Sequence, residues 1–292
     1  MKVFKIIVLG LGITFCTYIS AQNIESGTYY SFSEAFKNPF NVKQLILSNK
    51  GYTVISDTLL AFPNLEHLDL SFNYLSDIPN WILQLHKLRS ITLNNNYFKT
   101  IPSVLCYMQY LNILAINHNC ISAVPEQISI MHSLEYLDIS NNELENIPLS
   151  IFEISSLKQL IMIDGRLKEI PKEISKLQNL YKVIFSFNQL KQIPDELIFL
   201  PKIEYIAVAN NQISAINPNI CKAHNLNYIA VVGNRLTEFP TCIINLPNIE
   251  YINAGDNMYP KAKEAYYNKL CQEKKSLHFY SFNPEMDFFK FH

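Results

Sequence analysis

The chain has 292 residues, 49% of them apolar and 17% charged, so it can bury a core and is not disordered by composition. Its formal net charge of −1 gives no reason to expect a polyanion, so no nucleic-acid partner is expected. The start, MKVFKIIVLGLGITFCTYISAQ, places Lys2 and Lys5 before an apolar run from Ile6 to Ile19 and a small residue at Ala21. It reads as a signal peptide over residues 1–21, cut before Gln22. The run is too short for a membrane span, which takes about 20 residues, so no span is expected after cleavage. Cys16 admits a second reading as a lipid-attachment cysteine, against which the bulky Phe15 argues.

Residues 22–41 read as an N-terminal cap. In it SFSEAFKNP forms a short helix with Ser33 as N-cap and Pro39 as stop. From residue 42 to about 257 the chain repeats. In LEHLDLSFNYLSDIPNWILQLHK, residues 65–87, Leu68-Asp69-Leu70 alternates like a strand, while Ile78, Ile82 and Leu85 step by four and three like a helix. Eight successive 23-residue frames begin at Leu65, Leu88, Leu111, Leu134, Leu157, Leu180, Ile203 and Leu226. With the first residue as offset 0, offsets 0, 3, 5, 10, 13, 17 and 20 are apolar in every frame, which chance cannot produce. Offset 8 is Asn73, Asn96, Asn119, Asn142, Asn188, Asn211 and Asn234, with Gly165 the exception; offset 14 is proline except at Asn217.

These residues, Leu-x-x-Leu-x-Leu-x-x-Asn-x-Leu followed by Ile-Pro-x-x-Ile-x-x-Leu, resemble the leucine-rich repeat family in its 23-residue class. The resemblance implies an α/β repeat solenoid: a curved horseshoe with a parallel concave sheet and short helical or irregular convex segments. The periodicity agrees independently. Leu68 and Leu70 point to one side of a strand, which must stack on neighbours to bury that side. The asparagines are expected to form a structural ladder, bonding backbone groups that the turn leaves unpaired. Proline lacks an N–H and disfavours helix before it, so it marks where the chain starts back along the convex side.

Residues 42–64 fit the frame without Asn or Pro at offsets 8 and 14, as a terminal repeat should. A tenth frame opens at Ile249. Residues 258–292 then read as a C-terminal cap: a helix after Pro260 with a stripe of Ala262, Ala265, Tyr266 and Leu270, and a closing strand over residues 277–282. Phe288, Phe289 and Phe291 are expected to pack on that cap, with a sticky peptide as the other reading. Besides Cys16 there are five cysteines, Cys106, Cys120, Cys221, Cys242 and Cys271, with no CxxC pair, so free thiols are expected. The absence of Asn-x-Ser/Thr leans toward a bacterial exported protein.

No hydrolase, nucleotide-binding or paired-cysteine metal motif occurs, so no catalytic residue, metal or cofactor is expected. His118 and Cys120 flank a ladder asparagine and make a poor metal pair. The informative surface is the concave one, where offsets 2, 4, 6 and 7 are expected to face solvent. The first half is polar there, with Asp69, Thr92 and Asp138 at offset 4 and Ser48, Ser71, Asn94, Asn117 and Ser140 at offset 6. From the fifth of the eight frames Tyr205, Tyr228, Tyr251, Ile161, Ile163, Ile184, Phe187 and Val232 replace that pattern, with Tyr136 just before. An exposed apolar and aromatic patch marks a binding surface. The expectation is a secreted, periplasmic or cell-surface monomer without enzymatic activity that binds a protein or peptide on its concave face. The rivals are a structural envelope component without a single ligand, and an inhibitor or sensor of a hydrolase.

Overall fold

The computed structural model describes residues 27–273 and 278–279, with side chains through residue 270. The expected signal peptide and the Phe288–Phe291 tail lie outside the described residues. One parallel sheet of twelve strands runs in chain order. Its strands are β1 (Thr28–Tyr29), β2 (Gln44–Ile46), β3 (His67–Asp69), β4 (Ser90–Thr92), β5 (Ile113–Ala115), β6 (Tyr136–Asp138), β7 (Gln159–Ile161), β8 (Lys182–Ile184), β9 (Tyr205–Ala207), β10 (Tyr228–Ala230), β11 (Tyr251–Asn253) and β12 (His278–Phe279). Strands β2 to β11 follow the 23-residue frame in perfect register, so offset 2 always faces offset 2: Tyr228 pairs with Tyr205 and with Tyr251. The structure is the curved solenoid that the repeat implies.

Each coil is closed by the same three devices. The first is a left-handed residue at offset 7, seen at Asn49, Phe72, Asn95, His118, Asn141, Asp164, Phe187, Asn210, Gly233 and Asp256. The second is the asparagine at offset 8. Asn142 Nδ2 donates to the carbonyls of Ile116, Ile139 and Ser140 at 3.0–3.1 Å, and its Oδ1 accepts from Ile121 N–H at 2.9 Å. One side chain thus satisfies groups in two coils that no strand can reach. Asn257, in the tenth frame, makes the same four bonds and extends the expected ladder by one rung. At Gly165 no side chain is present to receive the Leu144 amide. The third device is proline at offset 14. Pro79, extended at φ −67° and ψ 150°, precedes a 3-10 turn over Asn80–Gln84, and its carbonyl accepts from Ile82 N–H at 3.1 Å. The convex segments are such 3-10 turns, with one short α-helix at Asp195–Ile198.

The frame positions form one continuous core in which Leu68, Leu70, Leu137, Leu160, Ile206 and Ile229 are buried. The caps correct three expectations. The N-terminal helix α1 (Phe32–Ala35) is capped by Ser31, whose hydroxyl accepts from Glu34 N–H at 3.3 Å, and not by Ser33. Ser31 is extended, as an N-cap must be, whereas Ser33 already lies inside the helix. Pro39 opens a 3-10 turn rather than simply ending the helix. At the other end, helix α2 (Lys261–Glu273) exposes Ala262, Ala265 and Tyr266 and buries Tyr267. The buried ring stands edge-on to Phe239 and Tyr259, and its hydroxyl accepts from Phe239 N–H at 3.1 Å. A tyrosine that finds a backbone donor is worth burying ahead of two alanines. Of the expected closing strand, His278–Phe279 pairs with β11; residues 277 and 280–282 lie outside the described residues.

The free-thiol expectation fails for one pair. Cys221 and Cys242 form a disulfide across adjacent convex turns, with Cα atoms 5.5 Å apart. The two lie at offsets 18 and 16 of neighbouring frames, and stacking brings them together where local spacing gives no hint. Cys106 is a buried thiol, held by burial at a pKa of about 11, and Cys120 is exposed.

Candidate functional site on the concave face

Side chains at offsets 2, 4 and 6 point into the horseshoe from strands stacked about 4.8 Å apart. That spacing is close enough for them to cover one another. The expected exposure is therefore wrong at several positions. Tyr136 (9% exposed), Ile161, Ile163 and Val232 are buried, and the first three pack with Ala115 and Ile184 into a small second cluster on the concave face. Ile184, Tyr205, Tyr228 and Tyr251 are half-buried, and Phe187 is exposed at 38%.

The polar half is no open surface either. Ser71, Asn94, Asn117, Asp138 and Ser140 are buried. Asn94 Oδ1 accepts from Asn117 N–H at 2.9 Å, and Asn117 Nδ2 donates to Asp138 Oδ2 at 2.7 Å. Asp138 Oδ1 accepts from the Ser140 amide at 3.0 Å and the Ser140 hydroxyl at 2.6 Å. Ser140 Oγ accepts from Ile163 N–H at 3.0 Å. Asn94, Ser140 and Ser186 at offset 6 thus each serve the next coil's offset-6 amide, while Asp69 and Asp138 at offset 4 serve the amides of Ser71 and Ser140 in their own coils. Burial raises the Asp138 carboxyl above its ordinary range, and burial lowers His118 although Asp138 and Asp164 pull it upward.

The C-terminal half is built differently. On β9 and β10 offsets 4 and 6 carry Ala207, Ala209, Ala230 and Val232, a floor of short side chains. Along one rim stand the tyrosines: the rings of Tyr205 and Tyr228 stack with centroids 4.0 Å apart and planes 4° from parallel, and Tyr251 follows at 6.0 Å and 38°. Along the other rim stands Phe187, in the left-handed conformation at φ 58°. Most residues at this offset are Asn, Asp, His or Gly, which tolerate that conformation; Phe72 and Phe187 are strained by about 1–3 kcal/mol. The result is a trough running across the strands. At its β8 end Lys182 places its ammonium 4.7 Å from the centre of the Tyr205 ring.

Sequence reasoning named the tyrosines and Phe187 but missed Lys182 and the strain at Phe187. Both had a signal in the frame: a lysine in a row of aromatics, and a bulky residue in an Asn/Asp/Gly column. Just outside the tyrosine rim an open depression of about 440 Å³ is lined by Lys158, Asn179, Tyr181, Pro201, Lys202, Glu204 and Asn225. Its lysines are already partnered, Lys158 with Glu135 at 2.9 Å and Lys202 with Asn179 at 2.7 Å. Among the described residues no group of three or more His, Cys, Asp or Glu side chains is arranged to hold a metal.

The model for the family described as leucine rich repeat matches residues 40–98 and 89–144. No curated protein matches the chain. Among solved structures, the functional domain of InlJ from Listeria monocytogenes, described as including a cysteine ladder, superposes with a TM-score of 0.61 at 16% identity. That match covers 76% of this chain and 46% of the InlJ domain's chain. The ectodomain of the receptor kinase GASSHO1/SCHENGEN3 from Arabidopsis thaliana gives a TM-score of 0.60 at 23% identity, covering 79% of this chain and 29% of that one. The plant peptide hormone receptor RGFR1, in complex with RGF2, gives 0.57 at 25% identity over 83% of this chain and 43% of the receptor. The chain spans less than half the length of each of these three.

Proposed function

The chain is a leucine-rich repeat protein, and from that premise we propose that it is an exported, non-enzymatic binding module that holds a protein or peptide in the C-terminal trough of its concave face. The observation that carries this reading is the parallel Tyr205–Tyr228 stack above a floor of alanines, beside a strained and exposed Phe187. Rigid tyrosines give large contact area at small entropic cost. RGFR1, with the same architecture, is a peptide hormone receptor. Export is supported by the basic and apolar N-terminus and by the Cys221–Cys242 disulfide, which belongs to an oxidising compartment. Among the described residues no helix is long and apolar enough to cross a membrane.

The test is capture from the native host's extract followed by titration. A saturable partner should bind the parent chain and lose about thirtyfold, ~2 kcal/mol, when Tyr205→Ala and Tyr228→Ala are combined. Ser90→Ala on β4 and Lys172→Ala on the convex side should bind like the parent. Loss confined to the Lys172 variant would refute the site, and an intact Met1 on the host's protein would refute export.

A further inference from the structure

We propose that Lys182 is the specificity anchor of the trough, and that the ligand is an acidic peptide whose carboxylate seats on Lys182 while a neighbouring apolar side chain lies on the Tyr205–Tyr228 stack. This rests on the reading of the trough as a peptide site and adds the chemistry of its occupant.

The first support is isolation. Across offsets 2, 4 and 6 of β2 to β11, Lys182 is the one lysine or arginine; the remaining histidine and carboxylate side chains in those rows are His67, Asp69 and Asp138. Among the described residues no ion pair holds Lys182, unlike Lys158, Lys168, Lys176 and Lys263, each of which meets a glutamate. The second is environment. The side chain is half-buried between Gln159 and Tyr205, its register partners on β7 and β8's other neighbour β9, and close to the apolar cluster of Ile161, Ile163 and Ile184. Burial pulls its ammonium below the usual lysine range with no carboxylate to oppose the shift. A cation that has lost water and gained only a ring face is under-compensated, and an incoming carboxylate restores the missing interaction. The third is position. The ammonium stands at the end of the tyrosine row, so an acidic group on it sets the register of the residues that follow along the rings. A sugar would use the same rings but makes no demand for a cation.

The experiment is selection of random peptides on the full chain from two phage libraries, one with the peptide's C-terminus fused and one with it free. Enriched peptides should carry a carboxylate beside an aromatic or aliphatic residue. Enrichment of Asp or Glu in both libraries assigns a side-chain carboxylate; enrichment only in the second assigns a free C-terminus. On individual selected peptides Lys182→Glu should weaken binding by about tenfold, ~1.4 kcal/mol, and Lys182→Arg should retain it. Thermal melts of both variants check that the fold is intact. Peptides that depend on Tyr205 and Tyr228 but show no acidic preference, or are indifferent to Lys182→Glu, overturn this inference and leave the peptide site standing. No enrichment from either library overturns the peptide site, and this inference with it.

Discussion

On β4 to β6 and the turns that follow, Asn94, Asn117 and Ser140 reach along the sheet and hydrogen-bond into the next coil, where Asp138 is the acceptor for Asn117. On β9 and β10 the matching positions hold Ala207, Ala209, Ala230 and Val232, which reach nothing beyond their neighbours. Backbone, register and core are the same in both regions. What differs is what lines the concave face: a polar network bonded internally in the first half, which leaves little for a ligand, and short apolar side chains beside a row of rings and a cation in the second. Polarity of a strand's inward residues is thus a poor guide to its surface when strands lie side by side.

The largest effect should be one that ignores the difference. Leu137→Ala on β6 and Leu160→Ala on β7, both fully buried, should each cost about 2–5 kcal/mol in denaturant melts. A cost in one half only would mean that the halves do not share one core. Next comes a contribution confined to the C-terminal half. The Cys221–Cys242 bond closes a loop with a sequence separation of 21, so Cys221→Ser should lose about 3 kcal/mol, and reductant should destabilise the parent but not the variant.

The third prediction tests the buried network. Asp138→Ala strands the Asn117 amide, the Ser140 amide and the Ser140 hydroxyl and should cost about 2–3 kcal/mol. Asp138→Asn should stay within about 1 kcal/mol, because Asn117 Oδ1 is buried without a partner and a flipped Asn117 amide accepts from the new NH2. A pH series separates the two states of the acid. Burial raises the Asp138 carboxyl above its ordinary value, so the folded chain holds that proton more tightly than the unfolded chain does. The penalty is absent below about 3.8 and grows as pH rises through the folded value; Asp138→Asn should remove that part of the slope. A slope that survives the substitution would locate it elsewhere. The smallest stability effect belongs to the tyrosines: with both Tyr205 and Tyr228 replaced by alanine, the loss of one stacked pair should cost no more than about 1.5 kcal/mol. A larger loss would make the stack a structural element of the sheet and weaken its claim to be a surface kept for a partner.

The sequence by itself determined the period, the coil, the register and the ladder, because each depends on residue types recurring at fixed offsets: apolar side chains that need neighbours to be buried, an asparagine that serves two coils, a proline that starts the return. Asn257 was legible on the same terms, one frame further on. The tertiary structure alone decided what happens between coils. Parallel strands about 4.8 Å apart bury Tyr136, Ile161, Ile163 and Val232 sideways, and they tie Asn94 to Asn117, Asn117 to Asp138 and Ser140 to Ile163. Stacking brings Cys221 to Cys242 and sets Lys182 against Tyr205. Those contacts join residues about one repeat apart, and their strength depends on ring orientation, side-chain length and lost water, none of which a pattern of residue types encodes.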